Sequence, residues 1–118
     1  MLAISKMLGI MNGVIIMSFF AATTLREVKR MTALRKAYEQ QLENLPKGSV
    51  CVKERNGNQY FYLTYRRDGK VVSEYVGNDE AAIDELKERL ERRKGVERLI
   101  REIKKEIALM DKVLEMVR

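Results

Sequence analysis

Two turn signals divide the middle of this 118-residue chain into three short runs. Asn56-Gly57 and Asp68-Gly69 are dipeptides that tolerate positive φ at both central positions of a type I′ hairpin turn. The runs around them are rich in β-branched and aromatic residues, which favour strands: VCVKER, QYFYLTYR and KVVSEYV. Because two-residue turns join antiparallel neighbours, the sequence predicts a three-stranded antiparallel meander between residues 49 and 76.

The turns also predict which side chains share a face of the sheet, because successive strand residues point to opposite sides. Counting back from the second turn places Phe61 opposite Val76. The first face is mainly apolar and consists of Val50, Val52, Glu54, Gln59, Phe61, Leu63, Tyr65, Val72, Glu74 and Val76. We expect this first face to be part of the core.

The second face combines tyrosines with cations and consists of Cys51, Lys53, Arg55, Tyr60, Tyr62, Thr64, Arg66, Val71, Ser73 and Tyr75. Tyrosines stack on bases or sugars, and cations pair with phosphates. This pattern predicts a nucleic-acid-binding site formed by Lys53, Arg55, Tyr60, Tyr62, Arg66 and Tyr75. Two alternatives remain: a helix covers the face and makes its tyrosines part of the core, or the face binds a protein.

An uncharged stretch of nineteen residues runs from Met7 to Leu25. It has three interpretations: a weak membrane anchor, a signal peptide, or a buried helix or start-site extension upstream of Met31. The basic residues after it would favour a cytoplasmic C-terminal side for an anchor. We expect the buried helix or the extension, and therefore divide the chain into an apolar segment, 1–25, and a single α+β domain, 26–118.

Helical patterns flank the predicted sheet on both sides. Thr24 and Glu27 have the spacing of a capping box, which predicts a helix beginning there and ending before Pro46. After the sheet, Asn78 is a predicted N-cap, and a helical or coiled-coil region follows over 79–118. Gly95 interrupts its apolar pattern and indicates either a turn or a shift in the phase of the repeat.

The end of the chain carries an apolar repeat with spacings of three and four, which is typical of a helical seam. Its members are Ile100, Ile103, Ile107, Met110, Leu114 and Val117. We predict that they mediate self-association as a homodimer or bind a helical protein partner.

Composition excludes several kinds of chemistry. The chain has no histidine and a single cysteine, so it lacks histidine-based nucleophilic dyads, internal disulfides and all-thiolate metal sites. No carboxylate cluster of defined geometry is evident. We therefore predict a protein that is not an enzyme, with no catalytic residues, no metal site and no cofactor. A lone cysteine favours a reducing compartment, and we expect a cytoplasmic location.

The net charge of +6 is unevenly distributed along the chain. Residues 1–47 carry seven Lys or Arg against three acids, whereas residues 48–79 carry five against four. Most of the excess therefore lies in the segment before the sheet, and a basic total is weaker support for nucleic-acid binding than a basic face.

The segments LPKGSV and QYFYLTYRRDGKVVSEYVG, with the charged helix after them, resemble a family of short uncharacterised bacterial proteins. The resemblance covers about residues 42–105 and implies no known activity. More loosely, the β-β-β-α order with its R-x-GK turn is similar to the arm-type DNA-binding domains of phage integrases. That similarity implies DNA as a ligand. The expected setting of the protein is a mobile element or a defence locus.

Together these features predict an α+β fold with an N-terminal helical region, a three-stranded meander and a long C-terminal helix or helical hairpin. The expected function is that of a nucleic-acid-binding accessory protein whose partner is DNA or RNA. The alternative is a protein-interaction module, such as an antitoxin-like or adaptor subunit, that acts through its C-terminal helix. Membrane association of the N-terminal segment is the less favoured expectation.

Overall fold

The computed structural model describes the backbone of residues 2–117 and the side chains of residues 12–117. Its elements are α1 (Leu2–Glu43), β1 (Ser49–Arg55), β2 (Asn58–Arg67), β3 (Lys70–Gly77) and α2 (Glu80–Met116). The strands form one antiparallel sheet in the order β1-β2-β3. The predicted α+β fold is therefore confirmed, and of the two forms predicted for the C-terminal region, α2 is a single long helix.

Both predicted hairpin turns have the backbone that their dipeptides favour. Asn56 and Asp68 have φ values of 53° and 52°, and the glycine after each has a φ of 78°. Positive φ at both central residues defines the type I′ turn, whose twist matches that of the flanking strands. The first turn sets Arg55 opposite Asn58, so the two strands pair in the predicted register.

The far end of β3 departs from the predicted register. Tyr62 pairs with Tyr75 as expected, but Phe61 pairs with Gly77, so the prediction that it lies opposite Val76 is wrong. The extra residue opposite Phe61 is a β-bulge at the end of the strand. Because it lies beyond Tyr75, it leaves the distribution of the earlier side chains between the two faces unchanged.

The prediction that a helix begins at Thr24 is wrong, because α1 continues through this position from Leu2. A capping box stabilises amides that lack intrahelical partners, and no such amides exist in the middle of a helix. Glu27 instead accepts a hydrogen bond of 2.6 Å from the guanidinium of Arg30. The hydrogen bond from Arg30 lowers the pKa of the Glu27 carboxyl from its ordinary value.

Asp79, not the predicted Asn78, caps α2. The Asp79 side chain accepts a hydrogen bond of 3.1 Å from the backbone N–H of Ala81, and its carbonyl accepts one from Ile83. The helix then continues without a turn through Gly95. Along α2, the spacing between buried or half-buried residues alternates between three and four. Near Gly95 a spacing of three occurs twice in succession, from Leu90 to Arg93 and from Arg93 to Val96. Gly95 thus accompanies a phase shift within one helix.

The chain divides into two compact units, Met1–Ala37 with Ile100–Arg118, and Tyr38–Leu99. The first unit consists of segments of α1 and α2, and the second contains the sheet with the adjoining ends of both helices. All buried apolar residues among the described side chains lie on α2: Ile83, Leu90, Val96, Ile100 and Ile103. The predicted division at residue 25 stays a prediction.

Candidate functional site

Within the unit Tyr38–Leu99, the first face of the sheet packs against α2. Ile83 and Leu90 are only 3% and 7% exposed, and Leu90 lines a depression together with Gly48 and Val50. The amine of Lys87 lies 6.0 Å from the centre of the Phe61 ring. The first face therefore supplies the core side of the sheet near α2, but Val52, predicted to be part of that core, is 50% exposed.

Two arginines of α2 hold the end of α1 and the loop that leads into β1. Arg93 donates hydrogen bonds from Nη1 to the carbonyls of Leu42 and Leu45, at 2.9 and 3.0 Å. One turn earlier, Arg89 donates to the carbonyl of Asn44 at 2.9 Å. The Leu42 carbonyl, in the last turn of α1, also accepts a hydrogen bond of 3.2 Å from the N–H of Leu45, whereas Asn44 and Leu45 follow the end of the helix. Sequence reasoning missed both contacts, because nothing local distinguishes these arginines from the others on the same charged helix.

The second face of the sheet is open to solvent on the side away from α2. Tyr75 is 57% exposed and Val71 is 65% exposed. Lys53, Arg55 and Arg66 are all exposed as well. The helical segments of the same unit therefore leave this face uncovered, and its cations are accessible to a ligand.

The three tyrosines of this face form a cluster. The Tyr75 ring centre lies 5.5 Å from that of Tyr62, edge to face, and 6.2 Å from that of Tyr60 at an angle of 47°. Lys53 places its amine 4.7 Å from the centre of the Tyr62 ring, within cation–π distance. Four of the six predicted site residues are thus brought together, with the more exposed Tyr75 ring in contact with both other rings.

Arg55 and Arg66 lie at opposite ends of the same face. Arg55 pairs with Asn58, the first residue of β2, and Arg66 is eight residues further along that strand. At about 3.3 Å per residue, the two positions are separated by roughly 26 Å. The arrangement has an aromatic centre with one arginine at each end.

The acidic residues of the strands lie on one face only, whereas cations lie on both. Arg67 and Lys70, which pair beside the second turn, share the first face with the strand carboxylates. The second face has three cations and no carboxylate, whereas Glu54 and Glu74 both project from the first face. There, Glu54 accepts a hydrogen bond from Gln59 at 3.3 Å, and Glu74 accepts one from the hydroxyl of Tyr65. This bond to Glu74 raises the pKa of Tyr65 from its ordinary value. A strand region that is nearly neutral in total therefore presents a basic face.

The second face also carries small polar groups beside the tyrosine cluster. The hydroxyl of Thr64 lies 3.3 Å from that of Ser73 and donates to the Cys51 sulfur at 3.5 Å. Cys51 pairs with Tyr62 in the register and is exposed. Its thiol is a natural chemical reporter for this surface.

The predicted self-association residues lie on one side of α2. Ile100 and Ile103 are buried within the chain, each 6% exposed, so a second copy cannot reach them in this conformation. Met110 lines an apolar groove with Phe20 and Thr24 of α1. The remaining predicted residues are half-buried: Ile107, Leu114 and Val117.

Among the described residues, no three acidic, cysteine or histidine side chains are grouped so that they could hold a metal ion. No helix in the same part of the chain has the length and apolarity needed to cross a membrane.

A three-stranded antiparallel meander that lies against one helix defines a small α+β domain with one covered and one open sheet face. The chain belongs to the DUF6788 family, described as a domain of unknown function, which matches residues 26–88, just over half of the chain. The match includes the whole sheet, so the predicted resemblance to an uncharacterised family is confirmed at this level. Comparisons with curated proteins and with solved structures found no match.

Proposed function

We propose that this chain is a non-enzymatic, cytoplasmic accessory protein that binds nucleic acid through the second face of its sheet. The main support is the chemistry of that face: a tyrosine cluster in which Tyr75 is exposed and Tyr60 and Tyr62 are half-buried, with three exposed cations and no carboxylate. Carboxylates on the same surface would repel phosphates, and the strands carry theirs on the opposite side.

In this proposal the tyrosines and the cations have separate tasks. Tyr75, as the most exposed ring of the cluster, stacks on a base or sugar, and such stacking contributes about 1–3 kcal/mol per base. Arg55 and Arg66 contact phosphates at the two ends of the face, so that one strand lies along β2. Lys53 supplies a third phosphate contact beside Tyr62.

DNA is the favoured ligand in this proposal, with RNA as the alternative. The order of three strands followed by a helix, with the R-x-GK turn at Arg67 to Lys70, is similar to integrase arm-type DNA-binding domains. The same similarity supports a bacterial mobile element as the setting in which the protein acts.

The decisive measurement is the affinity for mixed-sequence DNA and RNA as a function of salt concentration. If three cations each displace a phosphate counterion, the slope of log K against log salt is about −2 to −3. Arg55→Ala with Arg66→Ala should remove about two units of that slope. The matched control, Arg92→Ala with Arg98→Ala, removes two exposed arginines of α2 and should leave the slope unchanged.

Cys51 provides a test of location that does not depend on a variant. A nucleic acid bound across Tyr62 would cover the neighbouring thiol and slow its reaction with a thiol reagent. Binding that leaves the reaction rate of Cys51 unchanged, or equal loss of affinity in both double variants, would contradict the proposed site. No binding at low salt would contradict the function itself.

A second candidate function is a protein-interaction module that acts through α2. Leu109 and Met116, seven residues apart on one side of the helix, are 57% and 81% exposed. A stripe of this kind suits a second copy or a partner helix. Sedimentation of the wild type and of Leu109→Asp with Met116→Asp tests self-association, because these exposed positions can be changed without disrupting the core. A wild-type monomer would exclude the homodimer.

A further inference from the structure

A stretch of α1 is apolar and uncovered on every side of the helix. Val14, Ile15, Ile16 and Met17 are consecutive residues that are 62%, 61%, 65% and 49% exposed. Successive residues of an α-helix are about 100° apart, so these four positions sample the whole circumference. Phe19, at 68%, continues the exposed stretch. A helix that is apolar all round is normally surrounded by a protein core or by a bilayer.

Basic residues follow this apolar stretch directly, within the same unit of the chain. Leu25 is the last residue of the uncharged stretch, and the next eleven residues carry five cations and only one acid, Glu27. The cations are Arg26, Lys29, Arg30, Arg35 and Lys36. Glu27 is already paired with Arg30 at 2.6 Å, and Arg26 and Lys29 are both exposed. The segment therefore combines an apolar stretch with an adjoining positive surface.

We propose that this part of α1 docks on an anionic lipid bilayer, with residues 14–19 among the acyl chains and residues 26–36 at the level of the headgroups. A single protein groove contacts one side of a helix, whereas lipid can surround all of it. Each Lys or Arg near an anionic surface contributes about 1 kcal/mol to binding. A parallel bundle of copies would instead bring the same cations side by side, where they repel.

The test is flotation of the full chain with phosphatidylcholine vesicles and with vesicles that also contain phosphatidylglycerol. We expect flotation with the anionic vesicles, and less of it as salt concentration rises. Ile16→Asp with Phe19→Asp should abolish flotation, and circular dichroism should show unchanged helix content, because both side chains are exposed. This surface is separate from the proposed nucleic-acid site, so the two proposals can fail independently.

A charge variant makes the lipid specificity measurable without altering the apolar stretch. Arg26→Gln with Lys29→Gln should weaken partitioning into anionic vesicles by roughly 30-fold, which corresponds to two cations. The matched control, Arg101→Gln with Lys104→Gln, changes two exposed cations of α2 and should have no effect. Absence of flotation, or equal weakening in both charge variants, would overturn the proposal. The proposal would also be overturned if the chain forms an oligomer that persists with vesicles and that Ile16→Asp with Phe19→Asp abolishes. In that case a second copy of the chain, and not lipid, would cover the apolar stretch.

Discussion

Replacement of Arg93 by methionine is the sharpest test of how the sheet-containing unit is held together. The Arg93 side chain is 19% exposed and pairs through Nε with Glu97 at 2.8 Å. Its Nη1 group bonds the carbonyls of Leu42 and Leu45 at the end of α1. Arg93→Met keeps an unbranched side chain of good helix propensity and removes every donor.

The contacts of Arg93 give an approximate size for the stability that Arg93→Met should lose. A hydrogen bond that involves a charged group contributes about 1.5–3 kcal/mol, so the two bonds to carbonyls set an upper limit of roughly 6 kcal/mol. Leu42 and Leu45 are half-buried, so water can replace part of what is lost. The pair with Glu97, which is 39% exposed, adds at most about 1 kcal/mol. We expect Arg93→Met to lower the free energy of unfolding by about 2–4 kcal/mol.

Urea unfolding followed by far-ultraviolet circular dichroism measures this change. The matched control is Arg92→Met on the exposed side of the same turn, which should change the free energy of unfolding by no more than about 0.5 kcal/mol. Arg93→Lys keeps the charge but loses the two-pronged geometry, and should lie between the two. If Arg93→Met is as stable as Arg92→Met, the arginine does not hold the end of α1.

Three further outcomes are expected from the same unfolding assay. Gly95→Ala should raise the free energy of unfolding by about 1 kcal/mol, because alanine favours a helix more than glycine does and the added Cβ meets no atom within 4 Å. A loss of stability would show that the phase shift requires glycine. Gly48→Ala should lower it by about 1–3 kcal/mol, because φ is +117° and the added Cβ collides with the backbone oxygen of Thr64; unchanged stability would contradict this close approach. The bond to Glu74 raises the pKa of Tyr65 above its ordinary value of 10, so the folded state holds that proton more tightly. The stability advantage of the wild type over Tyr65→Phe should therefore be complete below pH 10 and disappear as the pH rises through the raised pKa; a difference that does not change with pH would contradict the hydrogen bond.

The turns in the centre of the chain were predictable from local sequence. The start of the first helix and the contacts between the helices were not, because they depend on residues further away. Asn56-Gly57 specifies its turn through the backbone conformations that these two residues tolerate, without help from the rest of the fold. The capping box at Thr24 failed because the preceding residues are helical too, which no pattern of four residues can reveal. The contacts of Arg93 join positions about fifty residues apart, so no local pattern encodes them.

The sequence by itself determined the three strands, their turns and the sorting of side chains into two faces. The physical reason is that alternation along a strand is a property of the backbone, so a fixed turn assigns every neighbouring side chain to one side. It also determined that the cations of the second face have no carboxylate among them.

Only the tertiary structure decided which face is covered. Apolar stripes on both helices and on the sheet could have been paired in several ways, because hydrophobic burial has no direction and does not select its own partner. Leu90 of α2 is buried beside Val50 of the first face, and Tyr75 is left 57% exposed on the second. The meander that the turns predicted thus became a sheet with one accessible aromatic and basic surface.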